Sequence, residues 1–476
     1  MFKLLITILT TFSLTCQGAN NTLPNLGDAA SGLISLEQEH KLGRIWLRNL
    51  RQQASTLHDP VITEYTENLI YRLASNSQVQ DRRLEIVLLD NDQLNAFAVP
   101  GGVIGINAGL FLHAKTEAQF SAVLAHELAH LSQRHFARQV EESRKQAPIA
   151  MATLLGSIML LATNNTEAGF AGLMTSQAAA TQWALSYSRD WEREADRLGM
   201  HTLVSSEIDP HGMPQMFRQM FEAHKYSERP PEFLLTHPVT ENRISDAAGR
   251  VDNLVMKYEP KPDLDYQLMR TAVQIHYQKE SHNLAYYQDL LKHPKNKLQK
   301  QIAHYGLALI LLEQKKYKPA LAQVNALLAQ HRNKISFLIL KNNILFESGK
   351  RSVALKKLKD LIELNPENHS LTFSYAKLLA KDKQFRVAAD ELKKHSRIRP
   401  SDPSIWLKLS DYEGRSKNKI GMYQAHAEFL FLTGQKSKAL KQLKRALDLA
   451  KGNYLTSARI EQRAREMDKS SDDMSF

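Results

Sequence analysis

Apolar residues recur at helical spacing from the first folded stretch onward. Leu42, Ile45, Trp46 and Leu50 fall on one face, and residues 33–80 are predicted to be helical. The pattern then changes. Leu84–Leu89 reads as a strand, and Ala96–Val99 and Val103–Ile106 as two more, with Pro100, Gly101 and Gly102 as the turn between them. Helical spacing returns at Thr116. Phe120, Val123, Leu124, Leu128 and Leu131 stack on one side, and Thr116 with Gln119 matches a capping box. A further helix is predicted over 182–203. Between these two helices, residues 147–162 form a 16-residue stretch without charge. A membrane span needs about 20 such residues. The stretch is expected to be a buried or membrane-contacting helix near the functional site.

The ends of the chain follow other patterns. Lys3 precedes Leu4, Leu5, Ile6, Ile8 and Leu9, then Phe12 and Leu14, which reads as a secretory signal peptide over 1–19 with cleavage after Ala19. The competing reading is a lipoprotein acylated at Cys16, the single cysteine of the chain. Residues 259–264, with Pro260 and Pro262, read as a linker. After it the chain repeats. Ala320, Ala354 and Ala388 stand 34 residues apart, and Pro366 and Pro400 each follow their alanine by 12. That is the tetratricopeptide period with its closing proline. Alanine suits a position where two helices cross closely, and such an array leaves a groove for extended partners. The predicted fold class is therefore α+β: a mainly helical domain with a small sheet over 20–258, then an all-α tetratricopeptide-repeat solenoid over 265–455. Residues 456–476 are expected to be a polar tail.

Charge divides the chain at the same place. Residues 1–260 hold 22 Lys+Arg against 28 Asp+Glu, a net of −6, whereas 261–476 hold 40 against 22, a net of +18. A basic half can attract nucleic acid, anionic lipid or acidic protein, but lysines interleaved with apolar positions read first as the solvent faces of a helical array. Secretion removes the chain from most nucleic acid, so no nucleic-acid partner is expected. One cysteine excludes an internal disulfide framework and a cysteine-based zinc module, while 18 histidines leave imidazole–carboxylate sites open.

The chemistry sits in His126-Glu127-Leu128-Ala129-His130. At 3.6 residues per turn His126 and His130 project from one helix face, where two neutral imidazoles can hold one Zn²⁺. Glu127 points about 100° away and can reach a water without being a ligand. The bland alternative is two surface histidines, but Ala122–Ala125 and Leu131 make the helix apolar and buried. A third ligand is expected on the second helix, where Glu192 and Asp196 share a face and Glu194 points elsewhere, solvated or paired with Arg193. His237, bounded by Pro238, is open to four roles: core histidine, loop residue, oxyanion donor or fourth zinc ligand. Arg243 either stabilises an oxyanion or pairs with a carboxylate. His135 is expected to be structural. The strand over Ala96–Ile106 is expected to offer an exposed edge beside the metal, on which a peptide pairs through Asn95, Ala96, Phe97, Gly101 and Gly102.

These pieces together resemble the gluzincin peptidases related to the CAAX prenyl protease and to HtpX, and within them the secreted beta-barrel assembly-enhancing protease type. The resemblance rests on Asn95–Ala98 with Pro100–Gly102, the His-Glu-Leu-Ala-His helix, Glu192–Asp196, Thr236–Pro238 with Arg243, and the repeats. It implies a zinc endopeptidase with one Zn²⁺ held by His126, His130 and Glu192. Glu127 is then the general base and Asp196 an acid or proton donor behind the ligands. It also implies a periplasmic protein, peripheral at the outer membrane, that acts on unfolded or stalled outer-membrane proteins and meets their assembly machinery through the repeats. A second expectation is a largely latent peptidase that works as a repeat-based chaperone or scaffold.

Overall fold

Ser35 opens the first helix, α1 (Leu36–Gln53), with a full capping box: Ser35 Oγ accepts from Gln38 N–H and the Gln38 side chain accepts from Ser35 N–H. The structure is a computed structural model that describes residues 34–142, 155–156, 158–160, 162–163, 188–225, 231–260 and 263–470. The signal peptide with Cys16, most of the uncharged stretch, residues 182–187, and Lys261 and Pro262 of the linker lie outside the described residues. Helix α2 (Pro60–Ser75) starts on Asp59, whose carboxylate accepts from Val61 and Ile62 N–H.

The three strands form one sheet in the order β1-β3-β2 (β1 Glu85–Leu89, β2 Ala96–Val99, β3 Val103–Asn107). β1 runs parallel to β3, and β2 antiparallel to it. Gly101 and Gly102 make the hairpin at φ +80° and +77°, in the left-handed region. A Cβ on Gly101 would lie 2.3 Å from Glu39 O, so this turn seats directly on the α1 backbone. Phe97 and Val99 pack with Trp46 and Leu50, and the rings of Phe97 and Trp46 meet edge-on at 5.7 Å.

After a short α3 (Gly109–His113), α4 (Glu117–Ser132) carries the predicted motif. Thr116 Oγ1 accepts from Gln119 N–H as expected, but Gln119 Oε1 accepts from Lys115 N–H, one residue earlier than a capping box requires. The helix is buried nearly all round, from Gln119 to His130. α5 (His135–Glu142), α6 (Arg189–Ser205), α7 (Gly212–Lys225), α8 (Glu232–Thr236) and α9 (Glu241–Asp252) complete the described part of this domain. Of the uncharged stretch, Leu155 and Ala162 are buried in the Trp46 cluster, and Trp46 Nε1 donates to Leu155 O at 3.0 Å. No described helix is long and apolar enough to cross a membrane.

The linker does not separate two cores. α10 (Leu264–Tyr277) lies against α2 and α3; its Tyr266 is fully buried and donates to Ala114 O at 2.7 Å. One apolar cluster runs from Ile62 through Phe120 and Tyr266 to Ile344. Helical pairs follow: α11 (Leu284–Lys292), α12 (Lys297–Glu313), α13 (Tyr317–Gln330), α14 (Ile335–Glu347), α15 (Arg351–Leu364), α16 (His369–Lys381), α17 (Phe385–Ile398), α18 (Pro403–Arg415), α19 (Lys419–Leu432) and α20 (Lys436–Leu449). The spaced alanines Ala320, Ala354, Ala388 and Ala439 are all fully buried, as close helix crossings demand. The array rests on the first domain. Glu64 of α2 accepts from His369 and Ser370 N–H, Glu67 takes a bidentate pair from Arg399, and Arg48 of α1 lies over the Phe431 ring.

The expected polar tail is instead a helix, α21 (Tyr454–Lys469). Ile460 and Met467, seven residues apart, bury one stripe of it against α20, and Arg463 forks onto Glu428 at 2.7 Å twice. The helix is polar in composition because the rest of its circumference faces water.

Candidate metal centre

Helices α4 and α6 cross where small residues let their backbones meet. Ala195 is fully buried, and a Cβ on Gly199 would lie 3.1 Å from His126 N. Ser188 caps α6, accepting from Trp191 N–H. The first turns of α6 therefore lay Glu192 and Asp196 onto the motif of α4.

One ligand atom each from His126, His130, Glu192 and His237 gathers within 4.8 Å, and all four residues are buried. His126 Nε2 stands 3.0 Å from His130 Nε2 and 3.3 Å from His237 Nδ1. The Glu192 carboxylate is 3.4 Å from His126 Nε2, 3.3 Å from His130 Nε2 and 2.9 Å from His237 Nδ1. Ligand atoms about 2.0–2.1 Å from a tetrahedral zinc lie roughly 3.3 Å from one another. The observed separations match that spacing.

The proton positions agree with it. His126 Nδ1 lies 3.0 Å from Asp196 Oδ1, and an ionised carboxylate only accepts, so Nδ1 carries the proton and Nε2 is left for the metal. His130 is fixed by a longer relay. His135 Nε2 donates to Glu194 Oε2 at 3.2 Å, which makes His135 Nδ1 an acceptor for His130 Nδ1–H at 2.8 Å. Nε2 of both motif histidines thus faces the same point with a lone pair. Burial pushes His126 down, yet Glu192 and Asp196 outweigh it and hold the metal-free imidazole at about 9. The same field that holds a proton there favours a divalent cation. Burial sends His130 well below the ordinary range.

Several placements differ from the sequence expectations. Glu194 is bound to His135 and Arg138, not to Arg193, which pairs with Asp190. Asp196 is an ionised carboxylate: burial raises it, but Arg243 and His126 prevail and lower it. That suits orienting His126 and does not suit giving up a proton. Arg243 is already spent. Nε and Nη2 fork onto Asp196 at 2.8 and 2.7 Å, while Nη1 reaches Glu192 Oε2 and Pro238 O. Four of its five N–H groups are thus engaged, three on carboxylates and one on the Pro238 carbonyl. Burial raises Glu192, but Arg243, His237 and His126 outweigh it and keep the ligand ionised.

Glu127 is buried beside the cluster, and burial raises its carboxyl. Its Oε1 stands 3.4 Å from His237 Nε2. His237, at the end of α8, thus reaches the cluster with one ring nitrogen and Glu127 with the other. Its loop is held by α8: Phe233 N–H donates to Leu94 O, and Asn95 Nδ2 donates to Glu232 at 3.2 Å. Burial lifts Glu232 to about 7.

β2 is an edge strand beside α4, but Asn95, Ala96 and Phe97 are buried. Phe97 points into the Trp46 cluster, Asn95 is engaged by Glu232, and Gly101 and Gly102 seat the hairpin on α1 and on the chain beside Arg83. Asn95, Ala96 and Phe97 are therefore packed where an exposed edge was expected, while Gly101 and Gly102 are half-buried. Sequence reasoning missed His135 as a partner of the metal centre. Five residues beyond His130 it lies about 140° round an unbroken helix. The helix breaks at Arg134, whose φ of 51° turns the chain and returns His135 to His130.

Comparison with known proteins agrees with this geometry. Residues 60–251 match peptidase family M48, and residues 343–403 match a tetratricopeptide repeat family. The chain is 32% identical over 447 residues to the beta-barrel assembly-enhancing protease of Yersinia pestis, covering 94% of this chain and 91% of that one. It is 32% identical to the protein of the same name from Escherichia coli K12, over 93% and 90% of the two chains. The mitochondrial metalloendopeptidase OMA1 of Schizosaccharomyces pombe is 28% identical over 38% of this chain and 51% of its own. With the peptidase region and the repeats both matched, and relatives 32% identical along nearly the whole length, the chain belongs to the beta-barrel assembly-enhancing protease family, M48 zinc metallopeptidases with a tetratricopeptide-repeat domain.

Proposed function

We propose that the protein is a periplasmic zinc endopeptidase that degrades misassembled outer-membrane β-barrel proteins and assists their assembly, peripheral to the outer membrane, with the repeats engaging substrates or the assembly machinery. The observation that carries the peptidase reading is the buried convergence of three imidazoles and one carboxylate, with the Glu127 carboxylate beside it and outside the ligand set.

His126, His130 and Glu192 hold the ion. Zinc, when bound, supplies a Lewis acid for the scissile carbonyl and acidifies a water. Glu127 takes the proton of the attacking water and passes it to the leaving amine; burial, which raises its carboxyl, tunes it toward that work at neutral pH. Asp196 and the His135–Glu194 relay keep the two motif imidazoles in the binding tautomer. Arg243 compensates the charge of Glu192 and Asp196 and ties both to the loop after His237.

His237 adds restraint. With Nδ1 among the ligands and Nε2 at Glu127, it fills the position a substrate carbonyl or water needs and occupies the base. Four protein ligands make a closed site of the structural kind. The resting enzyme is then latent, and substrate or partner binding opens it through a difference in affinity for the open and closed forms. This supports a double role, with scaffold-like binding in the closed form and proteolysis in the open one.

Metal analysis of the purified protein, with casein cleavage measured with and without chelator, tests the reading. One zinc per chain and chelator-sensitive cleavage are expected. His130→Phe should abolish both, and full zinc occupancy in that variant would refute the ligand assignment.

A further inference from the structure

The sheet has two edges. β2 meets the metal helix; β1 is the other, with β3 between them. Glu85 N–H donates to Gly102 O, so Glu85, Val87 and Leu89 turn their backbone groups to β3 and Ile86 and Leu88 turn theirs outward. The chain itself begins to pair with this outer edge. Leu57 N–H donates to Leu88 O at 3.0 Å and Asp90 N–H to Ser55 O at 2.9 Å, an antiparallel bridge that pairs Thr56 with Leu89. Pro60 then starts α2 and the chain leaves the edge. Among the described residues nothing bonds to the N–H or C=O of Ile86, or to the N–H of Leu88.

These groups border a cleft of about 260 Å³ between β1 and the repeats, whose far wall is Phe373, Ile398 and the Arg399–Ser404 turn. No ligand of the metal centre lines it. Its charge is negative on balance. Asp59, Glu67, Glu85 and Asp402 line it with Arg51 and Arg399; Glu85 is shared by Arg51 and Arg44, Arg399 by Glu67 and Asp402, and Asp59 caps α2, so the excess of negative charge is modest.

We propose that this cleft binds an extended segment of another, unfolded polypeptide, poor in acidic residues, which adds to β1 as an antiparallel strand opposite Ile86 and continues the line begun by residues 55–57. A residue opposite Ile86 in that direction satisfies its donor and acceptor together. Unfolded chain is the fitting occupant because recognition runs through the partner's backbone, which a folded protein keeps for itself. The remaining negative excess disfavours acidic side chains and tolerates lysine or neutral ones. The site goes beyond the peptidase reading, since it holds a chain at the edge remote in strand order from the metal helix, whether or not that chain is cut.

The test uses the full chain carrying Glu127→Gln, so that the probe survives, and a capped peptide alternating Val, Thr and Lys. Hydrogen exchange of the 84–90 segment is followed by mass spectrometry while binding is followed by fluorescence anisotropy. The peptide should slow exchange at Ile86, the open position next along the line from the Leu57–Leu88 pair. N-methylation of alternate backbone amides, which removes the donors but not the side chains, should weaken binding about tenfold. Replacing Lys by Glu in the peptide should weaken it further. Ile86→Pro removes the edge N–H, and Ser404→Trp fills the cleft from the repeat side; each should lose binding while zinc content stays at that of the parent. If Ile86→Pro fails to fold, Ser404→Trp decides. Absence of binding, binding with no protection of 84–90, or equal affinity for the N-methylated peptide overturns the proposal.

Discussion

Two clusters of buried histidines occur in the described structure, and they have been put to different ends. At the metal centre three imidazoles and Glu192 aim at one point, each motif histidine backed by a carboxylate that fixes its proton. At the seam between the domains, His369 Nδ1 and His395 Nε2 meet at 3.0 Å with their rings nearly stacked, at 16°. Asp402, 4.0 Å from His369 Nε2, and the Arg399–Glu67 pair are the charges around them. Only Asp402 approaches the rings, Glu64 being held by the His369 and Ser370 backbone N–H, and Arg399 opposes a positive ring. Burial therefore holds His369 at about 3 and His395 at about 4, as neutral hydrogen-bonding residues. Buried histidine pairs alone do not mark a metal site. What marks it is convergence of lone pairs plus enough negative charge to hold a cation.

The largest effect expected from breaking the first cluster is at Glu127. Glu127→Gln keeps the shape and cannot accept a proton, so it should retain zinc and fold while casein cleavage falls by about 10²–10⁴-fold. Cleavage at the parent rate would exclude Glu127 as the base. His237→Ala should act the other way. Removing the ring opens the fourth position and frees Glu127, so zinc should remain and basal proteolysis, including self-cleavage, should rise. The rise is about tenfold for each ~1.4 kcal/mol by which the closed form is favoured. A fall of about 10²–10³-fold would instead make His237 an oxyanion donor.

The relay behind His130 sharpens the comparison further. His135→Ala leaves every ligand in place but frees the His130 tautomer. Zinc affinity, measured by competition with a chromophoric chelator, should drop about 10–100-fold. Glu194→Gln, which still accepts through its amide oxygen, should lose less. Equal affinity in His135→Ala and the parent would return His135 to a packing role.

How much of this was readable in the chain follows from the range of each interaction. The motif helix, the second helix with Glu192, the hairpin glycines and the buried alanines of the repeats are local or periodic, and spacing alone places them. His135 is different, because it reaches His130 through a left-handed Arg134 that no periodicity announces. That conformation is held by tertiary contacts, with the Arg134 guanidinium on Glu39 and Ile34 O. Arg243 and Asp196, 47 residues apart, and Glu67 and Arg399, 332 apart, are pairings of the folded state only. The composition of 259–264 marks a linker, but Tyr266 buries just beyond it, so the two domains share apolar core where the sequence suggested separate bodies. The helical tail was hidden because two apolar residues a heptad apart are a weak signal in a charged stretch.

The smallest effect expected is at the domain seam, and it is a slope rather than a loss. His369 and His395 are neutral in the folded protein, with pKa values of about 3 and 4, and ordinary in the unfolded chain, near 6.5. Their folded values are depressed, so below pH ~6.5 the unfolded chain binds protons that the native seam refuses. The stability they allow is complete above that pH and is lost progressively as pH falls from about 6.5 toward 4. Each histidine costs up to ~1.4 kcal/mol per pH unit within that window. Asp402 opposes this cost by attracting the charged rings. Urea unfolding of the parent at pH 7 and at pH 5 should therefore show a marked drop, and a His369→Asn, His395→Gln double variant should show a shallower one. The metal centre, saturated with zinc in both proteins, contributes equally to the two curves. An unchanged slope in the double variant would mean that the seam histidines are not what acid finds first.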